Sequence, residues 1–133
     1  VNTIQIILAG NKKVNAIVRD FTISTDQPVS SFGENTAPTP FELFLASLGT
    51  CAGFFIASFC ESRKIPSDGI KILQKMERNN ETHMVEKILL EIYLPKDFPD
   101  KYKNAVIKAA ESCIVKKHLL SPPQIEITAE KRD

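Results

Sequence analysis

Two cysteines are the residues of this chain best suited to chemistry. Cys51 lies in Leu48-Gly49-Thr50-Cys51-Ala52-Gly53, and Cys113 in Glu111-Ser112-Cys113-Ile114-Val115. A thiolate attacks electrophilic oxygen, sulfur or carbon, and its reactivity follows how far its surroundings favour the charged form. A new helix beginning at Ser112-Cys113 would set Cys113 at a positive helix end, with Lys116 and Lys117 one turn on. Both features favour a thiolate. Gly49 and Gly53 are four apart, share a helix face and permit another backbone to come close beside Cys51. Each costs a helix roughly 1 kcal/mol relative to alanine, so close approach near the thiol is the benefit to look for. Taken alone, Cys51 also fits a small inert core residue. Cys60 is nine residues further on, about 900° of helical rotation, hence on the opposite face, and reads as structural.

Other chemistries find little support. His83 and His118 have no nearby cysteine or carboxylate pairing, so no metal site is expected. The five glycines are scattered rather than gathered into a phosphate-binding loop. No serine nucleophile elbow is present.

The elements that must position the cysteines follow from periodicity. Thr3–Leu8, Val14–Val18 and Phe21–Ser24 alternate and read as short antiparallel strands, with a turn at Ala9-Gly10-Asn11. Residues 25–38, with Pro28 and Pro38, form a loop long enough to be functional. Thr39-Pro40-Phe41-Glu42 is a helix start: Thr39 as N-cap, Pro40 at the first helical position, and Glu42 able to return a bond to the Thr39 amide. The helix runs to about residue 63 and is apolar on nearly every side, which predicts a buried helix that one small subunit can hardly cover alone. Lys64–Gly69 ends it. A strand from Ile70 and another over Val85–Leu94 form a hairpin across Asn79-Asn80. Helices are expected over Asp100–Ser112 and Cys113–Leu120, and a final alternating strand over Ile125–Thr128. The fold class is α+β, in one domain spanning 1–133, with antiparallel sheets around a long buried helix at about 40–63.

Composition narrows the setting. The chain has 133 residues, a formal charge of +1 and charges spread evenly, which gives no case for nucleic acid or a membrane surface as partner. The longest apolar stretch, around Phe54–Phe59, falls short of the ~20 residues of a membrane span. The first ten residues lack a basic region and suit a strand better than a signal peptide. Three cysteines, an odd number, argue against a disulfide framework and for a reducing, cytoplasmic compartment.

The run from Ala37 to Cys51, APTPFELFLASLGTC, followed some sixty residues later by Glu111-Ser112-Cys113-Ile114-Val115, resembles the OsmC/Ohr family of osmotically inducible and organic hydroperoxide resistance proteins. The likeness extends over nearly the whole chain. It implies an intertwined homodimer with two central helices, active at the subunit interface as a stress-response antioxidant oxidoreductase. It further implies a peroxidase without bound cofactor, in which Cys51 is the peroxidatic and Cys113 the resolving thiol. The resulting disulfide would be reduced by an external dithiol, in one branch of the family a lipoylated protein. Family peroxidases support the thiolate with an Arg and a Glu. Counting back from Cys51, the family Glu falls at Phe41 and the carboxylate here is Glu42, while Arg19 is the only candidate Arg before the helix. Ile114 stands where many members place Pro, as in a divergent branch. Phe41, Phe44, Phe54 and Phe55 are candidates to wall a pocket for an organic hydroperoxide or another small apolar ligand. The alternative is a non-catalytic binding protein of the same fold, with its apolar pocket at the dimer interface.

Overall fold

Alternation in the first part of the chain becomes a three-stranded antiparallel sheet in the computed structural model, which describes residues 2–132. The termini of the expected 1–133 domain, Val1 and Asp133, lie outside the described residues. The strands are β1 (Gln5–Leu8), β2 (Val14–Val18) and β3 (Phe21–Thr25), in the order β1-β2-β3. Gln5 pairs with Ile17, and Val14 with Leu8 on one side and Thr25 on the other. Gly10 (φ 102°) and Asn11 (φ 49°) supply the left-handed turn between β1 and β2. Contacts divide the chain into two compact units, Val1–Ser47 and Leu48–Asp133.

The first unit holds this sheet and the loop that follows it. Asp26, fully buried, organises the loop. One carboxylate oxygen accepts from the Gln27 N–H at 2.8 Å, and the other from the Thr36 N–H at 3.0 Å and the Thr36 hydroxyl at 2.7 Å. The Asp26 N–H donates to the Pro38 carbonyl at 3.1 Å. The Thr36 hydroxyl above all, with the Thr36, Gln27 and Glu34 backbone groups, holds the Asp26 carboxyl down at about 2 against the opposing effect of burial. A folded-state value below the unfolded ~3.9 contributes stability that is present above that unfolded value and lost as pH falls through about 2. Asp26→Asn is therefore expected to lower the melting temperature by several degrees at pH 7 and to flatten the acid limb between pH 4 and 2. Circular dichroism melts across that range read both effects; an unchanged acid limb would remove Asp26 as the loop's anchor.

A single long helix, α1 (Pro40–Ser62), starts where the cap signature predicts. The Glu42 N–H donates to the Thr39 hydroxyl at 3.1 Å, and the Thr39 N–H to the Glu42 carboxylate at 2.9 Å. It ends at Lys64 (φ 56°), with Ile65 N–H returning to the Cys60 carbonyl at 2.8 Å and Lys64 N–H to Glu61 at 3.1 Å. That is the bond pair of a left-handed helix stop, here built without glycine.

Burial of α1 differs from the all-round expectation. Within one chain only the stripe Leu45, Leu48, Ala52, Ile56 and Cys60 is buried, at helical spacing, while Phe41, Phe44 and Phe54 are exposed, Phe54 by 63%. The membrane comparison also shifts. Charges are confined to the ends of the helix, so its best 18-residue window reaches a mean hydropathy of 1.9 with 28% of it buried. By length and composition α1 could span a bilayer, although no uninterrupted apolar run within it could.

In the second unit β4 (Lys71–Arg78) and β5 (Val85–Tyr93) form an antiparallel hairpin with Ile72 opposite Ile92, Gln74 opposite Leu90 and Met76 opposite Ile88. Two short helices follow, α2 (Lys103–Ala110) and α3 (Ile114–Leu120). The core joins Ile56 and Cys60 of α1, Phe98, and Val106 of α2, with Ile72, Ile92 and Tyr102 packed around it. Each such aliphatic or aromatic side chain contributes roughly 1.5–3 kcal/mol on burial. The final strand over Ile125–Thr128 does not form: this stretch pairs with nothing in the sheets, and Ile125 and Ile127 are 80% and 92% exposed. An alternating pattern becomes a strand only where a neighbour completes its hydrogen bonds, and among the described residues none does.

Candidate active site

Cys51 occupies the middle of α1, and Cys113 is the N-cap of α3. The extended backbone of Cys113 turns the chain into α3, and its sulfur accepts from the Lys116 N–H at 3.4 Å, as a serine cap would. Its S–H is directed at the Leu48 carbonyl at 3.9 Å, one turn before Cys51 on α1. Cys113 is buried, with 2% of its surface exposed, whereas Cys51 is half-buried.

The Cys113 side chain is also one of the groups that act on the Cys51 thiol. Burial pushes the Cys51 thiol up, yet the Val115 N–H, the Cys113 side chain and the Ile114 N–H together bring it below its ordinary value. The first residues of α3 have no intrahelical acceptor for their N–H groups, which leaves those donors free for the sulfur. The dipeptide Ile114-Val115 carries no side-chain sign of this role, because backbone groups perform it. Sequence reasoning assigned the helix end to Cys113; the structure has the same helix end serving both sulfurs. Cys60 differs: it is sealed in the core, and burial alone raises its thiol.

The glycines flanking Cys51 admit a neighbour, and it belongs to the hairpin. A β-carbon on Gly49 would stand 2.6 Å from Gln74 Oε1, and one on Gly53 would lie 3.7 Å from Ile72 Cδ1. Side chains of β4, rather than another backbone, come in over this face of α1.

A cavity of about 330 Å³ borders Cys113. Ile88, Leu90 and Ile92, which share one face of β5, supply one wall; Ile107 of α2 and Leu119 of α3 supply others, and Glu111 and Lys116 are exposed residues of its lining. Phe41, Phe44, Phe54 and Phe55 do not line it. Phe41 stacks on Phe44 with ring centroids 5.7 Å apart, and Phe54 meets Phe55 edge to face at 5.2 Å. Glu42 is engaged in the cap of α1. Arg19 occupies the tight turn between β2 and β3 at φ 55°, with its guanidinium 5.0 Å from the Phe21 ring centroid. Neither the Arg19 nor the Glu42 interaction involves Cys51. His118 Nδ1 lies 2.8 Å from the Ile114 carbonyl of its own helix.

Comparison with known proteins sets this arrangement in context. The family model described as OsmC-like protein matches residues 33–128. No curated protein matches the sequence. Among solved structures, one from Psychrobacter arcticus 273-4, described as an osmotic stress induced and detoxification response protein, superposes with a TM-score of 0.75 at 23% identity, covering 88% of this chain and 87% of that one. An OsmC like protein from Mycoplasma pneumoniae gives 0.71 at 15% identity, covering 90% and 87%. A protein from Legionella pneumophila described as an organic hydroperoxide resistance protein gives 0.54 at 17% identity, covering 90% of each chain. At such identities these superpositions speak to the fold, while the family match takes in both cysteines and everything between them. The chain belongs to the family of OsmC-like proteins.

Proposed function

We propose that this protein is a thiol-dependent hydroperoxide reductase that prefers organic hydroperoxides, with Cys51 as the peroxidatic and Cys113 as the resolving cysteine. The observation that carries the reading is the Cys51 thiol, held below its ordinary value by the Val115 and Ile114 N–H groups and lying beside a second thiol. The Cys51 thiolate attacks the terminal peroxide oxygen and the O–O bond breaks. The alkoxide leaves and takes a proton, giving an alcohol and a sulfenic acid on Cys51. Cys113 then attacks the Cys51 sulfur and water departs, leaving a Cys51–Cys113 disulfide that an external dithiol, such as a lipoylated protein, reduces. Backbone N–H groups here give the support that family peroxidases draw from Arg and Glu side chains, so Arg19 and Glu42 have at most secondary parts.

The exposed phenylalanines of α1, Phe41, Phe44 and Phe54, fit a homodimer in which a second copy covers them. Such burial would make α1 a core helix of a soluble, cytoplasmic stress-response protein rather than a membrane span. A second reading, a non-catalytic binder of small apolar ligands, draws on the aliphatic cavity beside Cys113.

Stopped-flow mixing of the reduced protein with cumene hydroperoxide and with hydrogen peroxide separates the two. The peroxidase reading expects fast loss of two thiols, faster with the organic peroxide. The rate should rise with pH and level off below the ordinary thiol value, since the reactive species is the thiolate. Rates no higher than those of a free thiol at the same pH would leave the binder.

A further inference from the structure

We infer that the C-terminal segment of one copy is the third strand of a second copy's β4–β5 hairpin, with residues 124–130 running antiparallel along the outer edge of β4. The inference does not rest on the peroxidase reading and holds whether or not the thiols react. Ile125 and Ile127 alternate with Glu126 and Thr128, yet in their own chain the two isoleucines stay 80% and 92% exposed and the stretch pairs with nothing. Pro122 and Pro123 before it favour extended backbone over a continued helix. The outer edge of β4 is open as well, because the hairpin has only two strands. Such an edge takes an extended segment of another chain through main-chain hydrogen bonds.

Faces and charges fix the partner strand and the register. Ile72 packs against the core cluster, and Gln74 and Met76 share its face of β4, while Lys71 and Lys75 lie on the other. Ile127 set opposite Gln74 places Ile125 at Met76 and Ala129 at Ile72, all on the Ile72 face. The same register sets Glu126 opposite Lys75 and Glu130 opposite Lys71. A shift by one residue would turn both isoleucines to the charged face. A shift by two in either direction loses both ion pairs, and in one direction sets Glu126 against Glu77. Among the edge strands only β4 carries two lysines four residues apart on one face, the spacing of Glu126 and Glu130; β1 and β3 contain no cation, and β5 contains only Lys87. Within one chain Lys75 meets Glu91 at 2.5 Å with its side chain still 60% exposed, and Glu130 meets Arg132 at 2.6 Å. Both keep room for a further partner. Each copy gives one tail and receives one, so the exchange closes as a two-fold dimer.

The test uses two full-length variants, Lys71→Glu/Lys75→Glu and Glu126→Lys/Glu130→Lys, in analytical ultracentrifugation, alone and mixed in equal amounts. Alone, each opposes like charges at four places in the dimer, and its dissociation constant is expected to rise roughly tenfold or more over wild type. Mixed, every acidic edge meets a lysine tail and every acidic tail a lysine edge, and dimers of wild-type strength are expected to return. Variants that each dimerise like wild type overturn the inference. Weakening that mixing does not relieve also overturns it, since a tail folded back on its own β4 gives that result. Hydrogen exchange of the wild type is a second readout that needs no substitution. Amides of residues 125–129 are expected to exchange roughly tenfold more slowly in the dimer than after dilution to monomer; equal exchange at both concentrations, or a wild type that never dimerises, overturns the exchange of tails.

Discussion

Cys51→Ser is expected to abolish rapid peroxide-driven thiol loss altogether, leaving the two remaining cysteines to react no faster than ordinary thiols. The size of the effect follows from chemistry rather than from packing. Serine keeps the shape of the side chain at this half-buried position of α1, but a hydroxyl at neutral pH supplies no anionic nucleophile without a general base. The companion substitution Cys113→Ser keeps an N-cap for α3, since serine is a preferred cap, and removes only the second sulfur. It should consume peroxide in a single turnover and stop at a sulfenic acid on Cys51 that dimedone traps. Both readouts come from one stopped-flow and mass-spectrometric series. Full peroxide reactivity in Cys51→Ser would refute the assignment, and a mass shift on Cys113 instead would reverse the roles.

The second large effect is on stability. Val106 of α2 has no exposed surface and sits among Ile56, Cys60 and Phe98. A carboxylate placed there loses its hydration to a cluster of aliphatic, aromatic and thiol groups, an effective cost of several kcal/mol for a buried ion. Whole-domain stabilities are about 5–15 kcal/mol, so the cost is comparable to everything available. Val106→Asp is expected to show no cooperative thermal transition at pH 7 by circular dichroism. Val106→Ala, which deletes two methyl groups and adds no charge, is expected to retain the transition at a cost of about 2 kcal/mol. A native-like melt in Val106→Asp would mean that this cluster is not what holds the second unit together. The effect reaches the chemistry because α2 leads directly into Cys113 and α3, so loosening it removes the N–H donors that lower Cys51.

How much of this was legible from residue order can be judged element by element. Thr39-Pro40-Phe41-Glu42 announced a helix start, and both reciprocal bonds are present, because a capping box is local and four residues suffice to specify it. The hairpin of β4 and β5 was equally readable from alternation on either side of the Asn79-Asn80 turn. The helix start at Cys113 was visible too, and with it the prospect of an N-terminal helix end near sulfur. Three things were not. Alternation at Ile125–Thr128 looks like a strand, but pairing is a property of two segments and the pattern reports only one. Gly49 and Gly53 signalled a close neighbour without saying that Gln74 and Ile72 would be it. The donors to Cys51 are peptide groups of Ile114 and Val115, which every residue except proline possesses, so no side-chain motif could mark them.

The cap at Cys113 has a consequence for how this chain could change over time. Sulfur is a poor hydrogen-bond acceptor beside the oxygens of Ser, Thr, Asn or Asp, and replacing a weak cap by a good one commonly gains a fraction of a kcal/mol to about 2. If Cys113 is the resolving cysteine, as proposed above, folding and redox chemistry pull on position 113 in opposite directions. A descendant released from peroxide duty would gain thermal robustness by a single codon change to serine, and every generation that keeps the thiol forgoes that gain. The site is one where lost activity would be hard to regain, because the first step away from it is downhill.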